Sequence, residues 1–176
     1  MKQLGMKVKT RLLIAIVIIA IYASPTGAVA QKKSKFQWTG TVTHVSDGDT
    51  LWVRPSGGGA AVNIRIDGID APEICQTGGP AAKATLSGRV LHQAVSVQGQ
   101  RRDGYGRLLA AIKLGQTDVG AMMVSDGQAW AHQYKKYKSV YAAKQASAQA
   151  ARRGLFADAS AEEPRAFRKR HGPCPH

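Results

Sequence analysis

Acidic residues are in short supply along this chain. Its 11 Asp and Glu stand against 25 Lys and Arg, a net charge of +14 over 176 residues. Such a surface points to a polyanionic partner, nucleic acid or an acidic surface polymer, although a purely solubilising role fits the charge equally well. Cysteine is scarcer still: Cys75 and Cys174 are the whole complement. A multiply bridged scaffold is therefore excluded, and one disulfide, two free thiols, or a zinc site completed by His171 and His176 remain. Long hydrophobic runs are also missing. The run that stands out, Leu12 to Tyr22, holds eleven residues, where a helix needs about 20 to cross roughly 30 Å of hydrocarbon. No internal repeat is visible.

What is present begins with a leader. Lys2, Lys7, Lys9 and Arg11 precede the apolar run; Ser24, Pro25 and Gly27 break it, and Ala28-Val29-Ala30 supplies a small-x-small pattern. This reads as an export signal over residues 1–30, with a retained anchor as the alternative. Cleavage after Ala30 would leave 146 residues carrying 21 basic against 11 acidic side chains, a net of +10. In an oxidising compartment the two cysteines would then favour one disulfide, pinning the C-terminal tail beside the segment around Cys75. A loop of that length is worth about 4–5 kcal/mol in the chain-entropy account.

After a basic linker, 31–35, the pattern is that of strands. "FQWTGTVTHV" alternates, "SDGDT" is a turn, "LWVRP" a second strand, "SGGG" another turn and "AAVNIRID" a third strand. A helix is expected from Ala81 to His92, opened by Gly78-Gly79-Pro80, with Leu86 and Val90 on one face. "AVSVQGQ" and "GRLLAAIKL" give two more strands joined through "RRDGYG". Thr117 is expected to cap a helix running to Ser125, and Ser139 to Arg153 reads as a long Ala-rich helix ended by Gly154. The tail, 157–176, is charged and Pro-containing and is expected to be extended. Five short strands with a helix between the third and fourth predict an α+β fold, a five-stranded OB-type barrel with about three helices.

Four stretches concentrate the acids and arginines. In "SDGDT", a turn accounts for Asp47 and Gly48 without any function, but not for Asp49 beside Thr50 at a strand start. In "IRIDGIDAPE", Arg65 and Asp67 share one strand face and Ile64 and Ile66 the other. Asp49, Asp70 and a nearby backbone carbonyl are hard oxygen donors of the kind Ca²⁺ takes. Pro72 and Glu73 would also suit the first turn of a short helix. "RRDGYGR" is a hairpin whose Arg107 is either a rim charge or a bidentate phosphate clamp. "AWAHQYKKYK" interleaves Trp130, His132, Tyr134 and Tyr137 with lysines, a pattern that suits base stacking, with Trp130 read as core.

Taken in this order, "DGDT" at 47–50, Arg65 ahead of "DAPE" at 70–73, and "DGYGR" at 103–107 resemble the staphylococcal-nuclease-like (thermonuclease, micrococcal nuclease) domain. The resemblance runs from Phe36 to Phe156 and sets 157–176 apart as a tail. It implies calcium carboxylates at Asp49 and Asp70 with the Ala71 carbonyl as backbone ligand, and Glu73 as general base to the attacking water. It also implies Arg65 and Arg107 on the phosphate, and nucleotide contacts at Tyr105 and Tyr134. His132 falls where the family often has tyrosine, and Gly104 replaces a common hairpin lysine. The expected protein is an exported, Ca²⁺-dependent nuclease, periplasmic or secreted, monomeric and not held at a membrane once its signal is removed. It would hydrolyse DNA and RNA, single strands favoured, with little sequence preference, leaving 3′-phosphate ends. The alternatives are a catalytically silent OB module that binds single strands, and an envelope-tethered scaffold.

Overall fold

Period-two burial along the N-terminal half dictates a sheet, and its closure dictates a barrel. The computed structural model describes residues 36–132, 139–172 and 174. In chain order these form β1 (Phe36–Val45), β2 (Thr50–Pro55), β3 (Val62–Ile66), β4 (Ile69–Asp70), α1 (Gly79–Val90), β5 (Ala94–Arg102), β6 (Leu108–Leu114) and β7 (Thr117–Asp118). There follow α2 (Val119–Ser125), β8 (Trp130–Ala131), α3 (Ala142–Ala150), a 3-10 turn (Gly154–Ala157) and α4 (Pro164–His171).

Antiparallel pairs link β3 to β2, β2 to β1, β1 to β5 and β5 to β6; a parallel pair between β3 and β6 closes the ring. A closed ring leaves no unpaired edge to protect. Val42, Leu51, Val53, Ile64, Ile66, Val97, Ala110 and Ile112 point into it with essentially no solvent exposure. Ala82, Leu86 and Val90 of α1 and Val119, Met123 and Val124 of α2 complete the same core. A register shift between Val42 and His44 moves the inward positions of β1 from even to odd numbers, so that Val45 as well as Val42 is buried. The fold is the expected OB-type α+β barrel.

Several boundaries differ from the sequence expectation. Helix α1 starts at Gly79 and stops at Val90, because Leu91 turns extended at ψ 130° and His92 follows with a left-handed φ of 63°. The cap of α2 is Asp118 rather than Thr117. Thr117 pairs with Leu114 in β7, and the Asp118 carboxylate accepts the Ala121 N–H at 2.9 Å. Helix α3 is shorter than Ser139–Arg153. Ser139 Oγ donates to the Gly68 carbonyl at 3.0 Å, and Tyr141 is anchored through its hydroxyl to Asp118 at 3.0 and 3.1 Å. At the far end Arg152 has φ 50°. The tail is not extended: Pro164 sits at the first turn of α4, where its missing N–H costs nothing, and Arg168, Lys169, Arg170 and His171 complement the dipole of the last turn. Among the described residues no helix is long and apolar enough to cross a membrane.

Candidate active site

Strand pairing brings the four sequence stretches to one side of the barrel. Thr50 lies opposite Arg65 across β2 and β3, which puts Asp49 at the mouth of that pair. The parallel register pairs Ile64 with Leu108. One step earlier, Arg107 therefore stands beside Asn63, on the outward face that Asn63 and Arg65 share. Asp70 ends β4, whose partner is β8. A cleft of about 630 Å³ results, lined by Asp47, Asp49, Arg65, Glu73, Arg107 and Arg168 among others. Ala71, Tyr105, Asn63 and His132 also face it. Of the candidate residues, Asp49, Arg65, Ala71, Glu73, Tyr105 and Arg107 are thus gathered, and Asp70 joins them through Arg65. Tyr134 lies outside the described residues.

Arg65 is the hinge of the arrangement. Its Nη1 donates to Asp49 Oδ1 at 2.5 Å and its Nη2 to Asp70 Oδ1 at 2.6 Å, so one guanidinium spans both buried carboxylates. Burial works against its charge, but the two aspartates outweigh it and strengthen its hold on the proton. Asp49 gains less from the same pair. Burial pushes its carboxyl up to about 7; the Arg65 charge opposes this, while Asp47 and Asp70 add repulsion. The upward shift follows from burial, since Asp49 is 2 % exposed, and from sharing its single guanidinium with Asp70. Its remaining contacts are the Thr50 hydroxyl at 3.0 Å and the Ala71 N–H at 2.8 Å.

Asp70 is shifted the other way. Burial raises its pKa, but hydrogen bonds from Arg168 and the charges of Arg65 and Arg168 outweigh burial and hold it below the usual range. Arg168 was not anticipated. It donates to Asp70 Oδ2 at 2.9 Å, to Asp70 Oδ1 at 3.1 Å and to Glu73 Oε1 at 2.7 Å. The one sequence signal for it was Cys174. The structure joins Cys174 to Cys75 in a disulfide with Cα atoms 5.7 Å apart, which carries α4 alongside the Glu73 loop. Gln76 strengthens that link by donating to the Glu162 carbonyl at 2.7 Å.

Arg107 is positioned by its own hairpin. The Asp103 carboxylate accepts the backbone N–H groups of Tyr105 and Arg107, each at 2.9 Å, and the Arg107 Nε–H at 2.8 Å. Among the described residues no hydrogen bond engages either terminal nitrogen of Arg107, which suits them to a bidentate ligand. The Tyr105 ring is 87 % exposed and lies 5.3 Å from the Arg107 guanidinium carbon, a cation–π contact that leaves its outer face open. Asn63 Oδ1 is buried without a donor among the described residues and faces the same cleft.

Whether these residues suit a cation can be judged from their donors. All are oxygen, two are carboxylates sharing one guanidinium, and burial pushes one of them, Asp49, up to about 7 despite that guanidinium. Among the described residues no three His, Cys, Asp or Glu side chains form a ready-made cage. The set fits a hard divalent ion that takes few protein ligands and fills its shell with water or phosphate oxygens. A second cavity, of about 560 Å³, lies behind α4, lined by Trp130, Leu155, Phe167 and Arg170 among others; none of the candidate residues lines it.

Fold and cleft together define a closed OB-type barrel with arginines and carboxylates converging at one mouth. The family model described as staphylococcal nuclease homologue matches residues 63–158. An uncharacterized endonuclease of Haemophilus influenzae is 35 % identical over 128 residues, covering 73 % of this chain and 71 % of its own. A micrococcal nuclease of Shigella flexneri is 33 % identical over 141 residues, covering 74 % and 80 %. The protein ParB of Escherichia coli is 30 % identical over 166 residues, covering 88 % of each. This chain belongs to the staphylococcal nuclease family.

Proposed function

We propose that this protein is an exported, calcium-dependent nuclease that hydrolyses phosphodiester bonds of DNA and RNA. What supports the reading most is the convergence of Asp49, Arg65, Glu73 and Arg107 on one cleft, with Asp70 tied to it by Arg65. Phosphodiester hydrolysis requires a gripped phosphate, a water held in line and stabilisation of charge on the non-bridging oxygens. Arg107 would grip phosphate with its two terminal nitrogens. Arg65 would add the N–H groups its two aspartates leave unused, since only two of its five donors are engaged there. Glu73, half-buried at the cleft wall, would accept the proton of the attacking water. Asp49, Asp70 and the Ala71 carbonyl would hold the cation, which when bound supplies Lewis-acid polarisation of the phosphate.

Tyr105 offers an exposed ring on which a base can stack, and Tyr134 is proposed to act with it. A site that grips backbone rather than base edges favours little sequence preference, and single strands fit it most readily. Export of a mature chain to the periplasm or outside, as a monomer, completes the reading; the leader at 1–30 is its basis. The mature protein is expected to degrade single-stranded DNA and RNA to 3′-phosphate ends in calcium and to stop in EGTA. Activity undiminished by EGTA refutes the calcium assignment, and Glu73→Gln turning over at the wild-type rate refutes the general base. A chain that binds single strands in calcium without cutting them is instead the silent module.

A further inference from the structure

Arg168 meets two of the acids the proposed reaction depends on, from a helix whose sequence separation from Glu73 is 95 residues. Its fork is seated squarely on Asp70, Nη2 to Oδ2 at 2.9 Å and Nη1 to Oδ1 at 3.1 Å, while Nη1 also reaches Glu73 Oε1 at 2.7 Å. Each carboxylate oxygen has about two acceptor positions. Oδ1 of Asp70 is therefore filled by Arg168 and Arg65, whereas Oδ2 keeps one position open. Oε1 of Glu73 is partly occupied, and no hydrogen bond among the described residues engages Oε2. The guanidinium thus holds both oxygens of Asp70 and one of Glu73, and leaves one acceptor position on Oδ2 and both on Oε2 without a partner among the described residues.

Exposed ion pairs are commonly worth little, but these acids are not exposed: the Asp70 side chain retains 5 % and Glu73 25 % of its accessible surface. The helix carrying Arg168 is also strapped to the very loop it serves. Cys75 and Gln76, which bind Cys174 and Glu162, lie two and three residues after Glu73. Pro164 is buried at the start of α4. Movement of α4 relative to Glu73 is restrained at both ends of the helix.

We propose that Arg168 is a positioning residue of this cleft, which holds Asp70 and Glu73 at a fixed spacing and leaves the remaining acceptor position of Oδ2 for the cation and Oε2 for the attacking water. The proposal rests on the nuclease reading. Partners of this kind, behind metal ligands, typically change metal affinity or activity by about 10–100-fold when removed.

The test compares wild type, Arg168→Gln and Arg168→Lys in full-length mature protein. It measures steady-state cleavage of single-stranded DNA and, separately, calcium binding by isothermal titration calorimetry. Arg168→Gln is expected to lower kcat about 10–100-fold with KM changed less than threefold, and to weaken calcium binding severalfold. Arg168→Lys, which can keep one of the contacts, is expected to recover part of both losses, and it serves alone if the Gln variant does not fold. A rise in KM with kcat intact overturns the proposal and makes Arg168 a substrate contact. Tighter calcium binding with faster turnover also overturns it, because Arg168 would then be a plug competing with the cation. Wild-type protein that binds calcium but does not cleave sinks the nuclease reading alone, the calorimetric comparison still deciding for Arg168. Wild-type protein that does neither sinks both.

Discussion

Gly48→Ala should damage both stability and turnover, through contacts that can be read off the barrel. Gly48 does not use a left-handed backbone; what it lacks is room. A Cβ there would lie 2.6 Å from Ala71 Cβ and 2.7 Å from Ala82 Cβ, about an ångström inside the usual 3.5–4.0 Å carbon contact. Neither neighbour is the loose end of a long side chain. Relief must come from moving α1, which carries Ala82, from moving the Ala71 backbone, or from lifting the turn that holds Asp49. Each of these disturbs the cleft, since Ala71 donates its N–H to Asp49 Oδ2 at 2.8 Å. Overpacking of this kind costs about 1–3 kcal/mol, which for a domain near 150 residues lowers Tm by roughly 3–10 °C. A displacement approaching 1 Å at reacting groups can cost about 100-fold in rate. Thermal unfolding with single-turnover cleavage measures both, and Gly57→Ala, with nothing within 4 Å of its added methyl, is the control. Gly48→Ala melting within 1 °C of wild type and cutting within about twofold of its rate would refute the reasoning.

Two further outcomes are expected. Reduction of Cys75–Cys174, or Cys174→Ser, should destabilise the chain by up to about 4–5 kcal/mol, the chain-entropy value for a separation of 99 residues. The loss falls toward zero if α4 undocks before the barrel melts, so an unchanged denaturant midpoint under reducing conditions sinks the claim that α4 unfolds with the domain. In metal-free protein the pH dependence should carry opposite signs on two flanks. Asp49 has its pKa raised from 3.8 to about 7, so the folded state binds its proton more readily than the unfolded chain and stability declines as pH rises across that window. Asp70 and Asp103 are lowered, so the stability they contribute is present above 3.8 and is lost as pH falls below it. Melting curves in EDTA should therefore show Asp49→Asn removing the decline between about pH 5 and 7, where the slope can approach 1.4 kcal/mol per pH unit. An identical decline in that variant would assign it to another group.

Local signals carried most of the barrel and most of the cleft. Ile64 and Ile66 alternate with Asn63 and Arg65, and the side chains follow that alternation. The acid and arginine stretches were legible because each is a turn or strand end of fixed internal spacing. Gly48 was legible only as a turn residue, since the need for space at Ala71 and Ala82 exists only once α1 is docked. Cys174 hinted only that the tail docks; nothing in "PRAFRKRH" distinguishes Arg168 from Arg165 and Arg170, and the choice is made by the disulfide and by Gln76 holding Glu162. The shortening of α3 likewise depends on Tyr141 reaching Asp118, a tertiary contact that overrides helix propensity.

The charges of the cleft and of the whole chain pull in opposite directions, and that opposition bears on the proposed reaction. Overall the protein carries +14, which draws in a polyanion from a distance. The cleft is lined by Asp47, Asp49 and Glu73 with Arg65, Arg168 and Arg107; Arg107 is already paired with Asp103, and Asp70 is bound to Arg65 and Arg168. With the paired Asp70 and Asp103 counted, five acids surround three arginines where the phosphate must finally sit. A phosphodiester arriving there alone would meet net repulsion, while a cation arriving there alone would meet two carboxylates, one of them pushed by burial up to about 7 despite Arg65. The two ligands should therefore strengthen each other's binding, by the reciprocity that any coupling free energy requires. Measured by calorimetry, calcium affinity should rise in the presence of a nucleoside bisphosphate, and nucleotide affinity should rise by the same factor in calcium. Independent binding of the two would mean that the arginines alone neutralise the cleft, and that the cation has some other place in the protein.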